Sequence, residues 1–266
     1  AGQKSLGHAA FFGIGAYTTA ILLKAGVSIE LPTQPVRFHP LSLAIVNGHM
    51  DLAAFLLDKG ADPDAMLKEP RGWTALHQIA RYRAPIEQNV PFPVPTGRIT
   101  SLDLAKKILE SGRANVNARL TVDSLPDGYR NRLDSRGATP FLLAARAADP
   151  EYMRLLLQHG ADANIPTDAG TTPLMVAAGI GVFNPGEDAR SGPAGEPFAF
   201  EAVKICLEKG ADVNAVDVEG ETALHGAAYV GRNSVAKILI EKGAKMDVVN
   251  KAGWTPIRIA DGVQYN

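Results

Sequence analysis

The residues of this sequence that could support catalysis or bind a metal are its histidines and its single cysteine, Cys206. A nucleophilic thiol would need a positioned histidine base, and a zinc site would need several ligands at helical or turn spacing. The sequence has neither pattern, because its histidines are scattered. They are His8, His39, His49, His77, His159 and His225. We therefore expect no catalytic residue, no metal and no cofactor.

Glycine-rich turns could hold a nucleotide, and two Gly-x-Gly pairs occur, Gly13-Ile-Gly15 and Gly179-Ile-Gly181. Both lack the third glycine and the strand-turn-helix setting of a dinucleotide site. The chain has no Walker motif, no Gly-x-Ser-x-Gly and no His-Glu-x-x-His. These absences predict a protein that is not an enzyme.

Composition excludes further classes. The chain has 266 residues, with 27 Lys plus Arg against 28 Asp plus Glu and 46% hydrophobic residues. This balance does not fit intrinsic disorder or a strongly basic nucleic-acid binder, so we expect no nucleic-acid partner. One cysteine excludes an internal disulfide framework.

The elements that carry these residues repeat along the chain. The run Gly220-Glu-Thr-Ala-Leu-His-Gly-Ala-Ala228 has close copies that start at Gly72, Gly137, Gly170 and Gly253, and weaker copies start at 2 and 37. Paired aliphatic residues and then Gly-Ala-Asp-x-Asn or a variant follow most copies, as in Leu156-Leu-Gln-His-Gly-Ala-Asp-Ala-Asn164. Thr-Pro is typical of a helix start, and the glycine after the paired aliphatics is typical of a helix end.

A 33-residue unit of two apolar helices resembles the ankyrin repeat, and this likeness extends to bacterial ankyrin-repeat proteins. It implies one all-α solenoid domain over 1–266, with stacked helix-turn-helix units and short β-hairpin-like fingers. Copies start near 2, 37, 72, 137, 170, 220 and 253. In this family the histidine of Thr-x-Leu-His ties neighbouring turns together, so His77 and His225 are expected to be structural.

Three stretches exceed the repeat length. Two lie between first and second helices, near 84–100 and 181–197, and one lies in a finger near 120–136. The first two either frame an additional binding edge or are tolerated surface loops, since long insertions cost little stability. Neither 84–100 nor 181–197 contains His or Cys, which disfavours an active site there.

The resemblance places the first helix of each copy on a concave face beside the fingers. Aromatic and arginine side chains in its variable positions are typical of protein interfaces. The alternative is that the apolar members, such as Val176 and Ile180, pack against neighbouring repeats. The candidate partner-binding residues are Phe11, Phe12, Trp73, Arg81, Tyr82, Arg146, Tyr229 and Trp254. Trp73 and Trp254 lie in Gly-Trp-Thr at fingertips, where they are either partner contacts or half-buried against the adjacent finger.

The N-terminus supports two interpretations. Residues 6–23 carry no Asp, Glu, Lys or Arg, which meets the length rule for a membrane helix, and residues 1–25 resemble a segment of branched-chain amino-acid transporter permeases. The same residues also fit a divergent or grafted first repeat, because Leu22-Leu-Lys-Ala-Gly26 matches the end of a second helix.

The sequence thus predicts a monomeric, non-catalytic scaffold for a protein partner. The alternative is a membrane-tethered or transport-associated accessory subunit anchored by residues 6–23. The compartment stays open between the cytoplasm and export to a bacterial periplasm.

Overall fold

The structure, a computed structural model, describes residues 40–65, 72–83, 97–121, 133–182 and 195–262. These ranges contain eleven helices. They are α1 Pro40–Val46, α2 Met50–Asp58, α3 Ala75–Arg83, α4 Ser101–Glu110, α5 Pro140–Arg146, α6 Pro150–Gln158, α7 Pro173–Ala178, α8 Glu196–Glu208, α9 Ala223–Val230, α10 Asn233–Glu241 and α11 Pro256–Ala260.

The helices form two rows. The first helices of the copies (α1, α3, α5, α7, α9 and α11) each contact the next member of their row. The second helices contact each other in the pairs α2 with α4, α6 with α8, and α8 with α10. The core lies between the rows and between successive copies. The described ranges contain helices and turns but no strand, so the predicted all-α solenoid is confirmed.

Four of the first helices, α5, α7, α9 and α11, begin after a threonine that caps them. Thr139, Thr172 and Thr255 have extended backbones, and each hydroxyl accepts a hydrogen bond from the N–H three residues later. A proline follows each of them, in the first turn where its missing N–H has no intrahelical partner. Thr222 caps α9 in the same way, with alanine in place of proline.

Each second helix that ends in paired aliphatic residues stops at a glycine. Gly160 has a φ of 86°, its N–H donates to the carbonyl of Leu157, and the N–H of Ala161 donates to the carbonyl of Leu156. A left-handed glycine therefore satisfies the last carbonyls of the helix, as the Leu-Leu-x-x-Gly pattern predicts.

The asparagine that ends the Asp-x-Asn motif joins one copy to the next. The Asn117 amide donates to the carbonyl of Gly160 at 3.3 Å, and its oxygen accepts from the N–H of Asp162 at 2.9 Å. Two further amide–carbonyl contacts of this kind follow along the stack, Asn164 to Lys209 and Asn214 to Gly243. Side chains that hydrogen-bond to the backbone of the next copy fix the register of the stack.

In the described ranges the predicted hairpin-like fingers are tight turns. The N–H of Thr167 donates to the carbonyl of Thr171 at 2.9 Å and closes one turn. Neighbouring turns are joined by backbone bonds, from Asp168 to Arg136 at 2.8 Å and from Val218 to Ala169 at 2.9 Å. The fingers therefore form a continuous edge without a strand ladder.

The structure describes only parts of the three longer stretches. Thr100 caps α4 through a reciprocal capping box with Asp103, so the first stretch ends where the second helix of its copy begins. Helix α8 starts at Glu196 and has 13 residues, against 9 in α6. Part of the extra length predicted at 181–197 therefore lengthens a helix.

Candidate protein-binding surface

The two histidines of the Thr-x-Leu-His motif are part of the scaffold. The Nδ1 atom of His77 accepts from the N–H of Thr74 at 3.3 Å, and its Nε2 lies 3.1 Å from the carbonyl oxygen of Ala138 in the next copy. His225 makes the same contacts to Thr222 at 3.1 Å and to the Trp254 carbonyl at 3.2 Å. The expectation that both tie neighbouring turns together is confirmed.

This geometry fixes the chemical state of His77. A ring whose Nδ1 accepts and whose Nε2 faces a carbonyl carries its proton on Nε2 and is neutral. Burial lowers the pKa of His77 to about 4, against weaker hydrogen bonds to backbone carbonyls that raise it. A neutral ring held on both sides has no role in proton transfer near pH 7.

Cys206 lies in the core on α8. Burial raises the pKa of its thiol to about 12, so it remains a thiol at neutral pH and is a poor nucleophile. Within the described part of the chain, no group of three or more His, Cys, Asp or Glu residues could hold a metal ion.

Three candidate residues lie together at the end of α3 and beside it. The guanidinium carbon of Arg81 lies 5.7 Å from the centre of the Trp73 ring, a cation–π distance. Tyr82 is half-buried and packs against the core. Trp73 is only 1% exposed, so its ring packs beneath the Arg81 side chain and leaves almost no surface for a partner to contact. Trp73 is therefore buried, as the alternative interpretation of this residue expected, and is not a direct partner contact.

Arg81, Arg146 and Tyr229 occupy the same position in their copies, seven residues after the threonine of the first turn. Arg81 lies in the last turn of α3, and Arg146 is the last residue of the contacting helix α5. The Nη2 atom of Arg146 donates to the carbonyl of Gly181 at 2.9 Å. Tyr229 is half-buried near the end of α9. These three residues and Tyr82 form what we call the first-helix face, the face predicted to be concave.

The stretch of this row between Arg146 and Tyr229 is tightly packed. A Cβ on Gly179 would lie 2.4 Å from the carbonyl oxygen of Gly226, and one on Gly226 would lie 2.7 Å from the Ile180 nitrogen. Helices α7 and α9 therefore approach so closely that both positions require glycine. Val176 and Ile180 are buried, so they pack against neighbours as the alternative interpretation expected.

Trp254 is half-buried on the last finger. Its N–H donates to the side-chain oxygen of Asn250 at 2.9 Å, and its carbonyl accepts from the N–H of Asn250 at 3.0 Å. Its backbone is therefore held by its own turn. Phe11 and Phe12 lie outside the described residues.

One polar cluster was not predicted from the sequence. Arg83 donates to both carboxylate oxygens of Asp149, at 2.6 and 3.0 Å, and to Glu151 at 3.1 Å. The Tyr152 hydroxyl donates to the carbonyl of Leu76 at 2.9 Å. Asp149 before Pro150 is a local sign of a helix cap, but its pairing with an arginine 66 residues away has no sequence signal.

The interpretation of residues 6–23 as a membrane anchor falls outside the described residues. Among the helices that the structure does describe, none is both long enough and apolar enough to cross a membrane. The transporter likeness of residues 1–25 is not tested by these helices and stays an expectation.

Comparison with known families gives matches to repeats over most of the chain. A family described as ankyrin repeats in three copies matches residues 100–182 and 196–262, and a single ankyrin repeat matches residues 37–66. The first solved structure matched is the ankyrin repeat domain of Bcl-3, a member of the IkappaB family. It is 23% identical with a TM-score of 0.57, and the match covers 94% of this chain and 92% of that one.

Curated relatives match at higher identity. Neurogenic locus notch homolog protein 1 of Xenopus tropicalis is 33% identical over 57% of this chain and 7% of that protein. Ankyrin repeat and SOCS box protein 16 of Mus musculus is 30% identical over 83% of this chain and 47% of that protein. This chain thus spans less than half the length of either relative. Both are animal proteins, so the bacterial likeness is not shown.

Proposed function

This chain belongs to the ankyrin-repeat family, and we propose that it is a non-catalytic scaffold that binds a protein partner through the first-helix face and the neighbouring fingers. Ankyrin-repeat domains generally mediate protein–protein interactions and are typically not enzymes. This chain matches only part of each longer relative, so the activities of those whole proteins are not assigned to it.

The observation that carries the proposal is the placement of Arg81 and Arg146. They occupy equivalent positions in the last turns of two contacting helices, and Tyr82 lies beside Arg81. Arginine and tyrosine are the residue types that dominate binding energy at interfaces. The Trp73 ring below Arg81 holds the guanidinium in place, so less conformational entropy is lost when it binds.

The first helices also differ from the second helices in charge. Those described carry Arg81, Arg83, Arg146 and Arg258 and no Asp or Glu, whereas every described second helix contains at least one acidic residue. Arg83 is already paired with Asp149 and Glu151, so a partner segment that carries carboxylates would meet Arg81 and Arg146 on this row.

The test is capture of a partner by the chain and by two matched triple variants. The first combines Arg81→Ala, Tyr82→Ala and Arg146→Ala. The control combines Lys106→Ala, Lys204→Ala and Lys237→Ala, which lie on the second helices α4, α8 and α10. Circular dichroism and thermal unfolding establish that both variants are folded.

We expect the first variant to lose at least tenfold in affinity for a captured partner, because one anchor of this type contributes about 2 kcal/mol. The control should bind like the parent. Loss in the control with retention in the first variant would move the site to the second helices. Recovery of the chain in the membrane pellet without a partner would favour the anchor at residues 6–23.

A further inference from the structure

The joint between the sixth and seventh copies contains a carboxyl group, that of Glu221, with a hydrogen bond to only one of its two oxygens among the described residues. The Oε1 atom of Glu221 accepts from the Nδ2 of Asn250 in the next copy at 2.8 Å. Its Oε2 atom is buried and has no hydrogen-bond partner. An ionised carboxylate left in this state is costly, because burial removes the water that would otherwise solvate it.

The groups around Glu221 do not supply a compensating cation. His225 Nδ1 lies 3.8 Å away, but this nitrogen already accepts from Thr222 and so presents a lone pair. On its own finger Glu221 faces Asp217 and Glu219, both of which disfavour its ionised form.

From the neighbouring fingers, Thr171 of the fifth copy donates to Asp217 at 3.1 Å. Lys251 of the seventh copy lies in solvent, 3.5 Å from Glu219. Burial first, and then these two acidic neighbours, raise the pKa of Glu221 to about 7, against the lowering effect of the Asn250 hydrogen bond.

The state of this carboxyl is linked to the seventh copy through one side chain. Asn250 donates to Glu221, and its own oxygen accepts from the Trp254 N–H at 2.9 Å. The Trp254 carbonyl in turn meets His225 of the sixth copy at 3.2 Å. The last turn is therefore attached to the sixth copy through Glu221 and His225 together.

We propose that Glu221 and Asn250 form a proton-dependent latch that holds the seventh copy on the sixth. With its proton, Glu221 is neutral and the joint closes. Without it, a buried negative charge faces Asp217, Glu219 and the lone pair of His225, and the terminal copy opens. The seventh copy contacts the described part of the stack through the packing of α11 on α9, and one copy of a stack can open without the rest unfolding.

The direction with pH follows from the raised pKa. A carboxyl that binds its proton more tightly when docked favours docking at low pH, and this advantage is lost as pH rises from about 4.5 to about 7. Above pH 7 both states have lost the proton, so docking stays constant at its weakest value.

Hydrogen exchange of the backbone N–H of Lys251 measures the opening directly, because it donates across the joint to the carbonyl of Glu219 at 2.9 Å. The N–H groups of Asn250 and Trp254 donate within their own turn and serve as a reference for local unfolding of that turn. We expect the protection factors of the full chain to fall roughly tenfold per pH unit between about 5 and 7. In Glu221→Gln, which keeps the oxygen that accepts from Asn250, the protection of Lys251 should no longer rise toward low pH and should exceed the parent's at pH 7.5. Burial lowers the pKa of His225 in the same joint, so the dependence left in this variant has the opposite sign.

Glu219→Gln is the matched control. It removes an exposed carboxylate two residues away and should keep the parent's pH dependence. The same pH dependence in Glu221→Gln as in the parent would overturn the proposal. So would carboxyl ¹³C signals that place the titration midpoint of Glu221 in the parent below pH 5, a measurement that needs no folded variant.

Discussion

The joint between the third and fourth copies and the joint between the sixth and seventh copies use the same histidine contact in different surroundings. His77 and His225 each hold a backbone carbonyl of the next copy, at 3.1 and 3.2 Å. The central joint adds the Tyr152 hydroxyl on the carbonyl of Leu76 and the Arg83 pair. The terminal joint adds the Glu221–Asn250 bond and, at the exposed finger, the contacts of the Lys251 N–H and ammonium with Glu219 at 2.9 and 3.5 Å.

The difference shows that the repeat motif sets which atoms meet, and that residues outside the motif set how strongly two copies hold together. In a stack, each copy is stabilised mainly by its two neighbours. Among the described helices, failure of the joint between the third and fourth copies therefore separates α1–α4 from α5–α11, whereas failure of the joint between the sixth and seventh copies separates only α11. The four predictions below test this contrast.

The largest effect is expected from His77→Ala. It removes a buried ring and leaves the Ala138 carbonyl and the Thr74 N–H without their partner, which together should lower the free energy of unfolding by about 4 kcal/mol. His225→Ala makes the same change at the terminal joint and should cost about 2 kcal/mol, because the loss is limited to the docking of one copy. Urea denaturation measures both, and equal losses would contradict the contrast.

Arg83→Met should follow, with a loss of about 3 kcal/mol, because it leaves the buried Asp149 carboxylate without its cation. The Asp149 side chain is 4% exposed and that of Arg83 is 17% exposed. Arg154→Met is the control. Arg154 pairs with Glu201 at the surface, and removal of such a pair should cost under about 1 kcal/mol. A similar loss in both variants would mean that the Arg83 pair does not reinforce the central joint.

Mild acid should weaken the central joint. At the terminal joint the protonation of Glu221 should strengthen docking, and this outweighs the opposite effect of His225, because the pKa of Glu221 is shifted further than that of His225. The pKa of His77 is lowered to about 4, so its unfolded form binds a proton first and stability falls as pH drops from about 6.5 to 4. At pH 5 this amounts to about 2 kcal/mol.

Comparison of the parent with His77→Gln, which cannot titrate, isolates this effect in denaturation curves from pH 7.5 to 5. A parent and a variant that lose the same stability on acidification would exclude His77 as the source.

The repeat units, the helix starts at threonine and the helix ends at glycine could all be predicted from the sequence, because each depends on residues within a few positions of one another. The role of the two histidines followed from the same local motif. The Arg83–Asp149 pair could not be predicted, since its partners are 66 residues apart and no local pattern links them. The sequence left the burial of Trp73 open, because a Gly-Trp-Thr turn does not show what covers the ring, and the structure shows it 1% exposed.

The smallest expected effect concerns Asp64, which occupies the place of the linking asparagine at the joint between the second and third copies. Its Oδ2 accepts from the Asn115 N–H at 2.7 Å, as the Asn117 oxygen does one copy later. Its Oδ1 is buried without a partner, where Asn117, Asn164 and Asn214 each donate to a carbonyl. Burial raises the pKa of Asp64, as expected for a carboxylate that is poorly satisfied.

Asp64→Asn should therefore stabilise the chain by about 1 kcal/mol at pH 7, because it supplies the missing donor. Asn164→Asp, the reverse change at a joint that has the donor, should destabilise it by a similar amount. Thermal and urea unfolding of both variants measure the pair. If Asp64→Asn is neutral while Asn164→Asp is destabilising, then Arg113 already replaces the missing donor, since it reaches the carbonyls of Leu57 and Ala61 in the second copy at 3.0 and 3.2 Å.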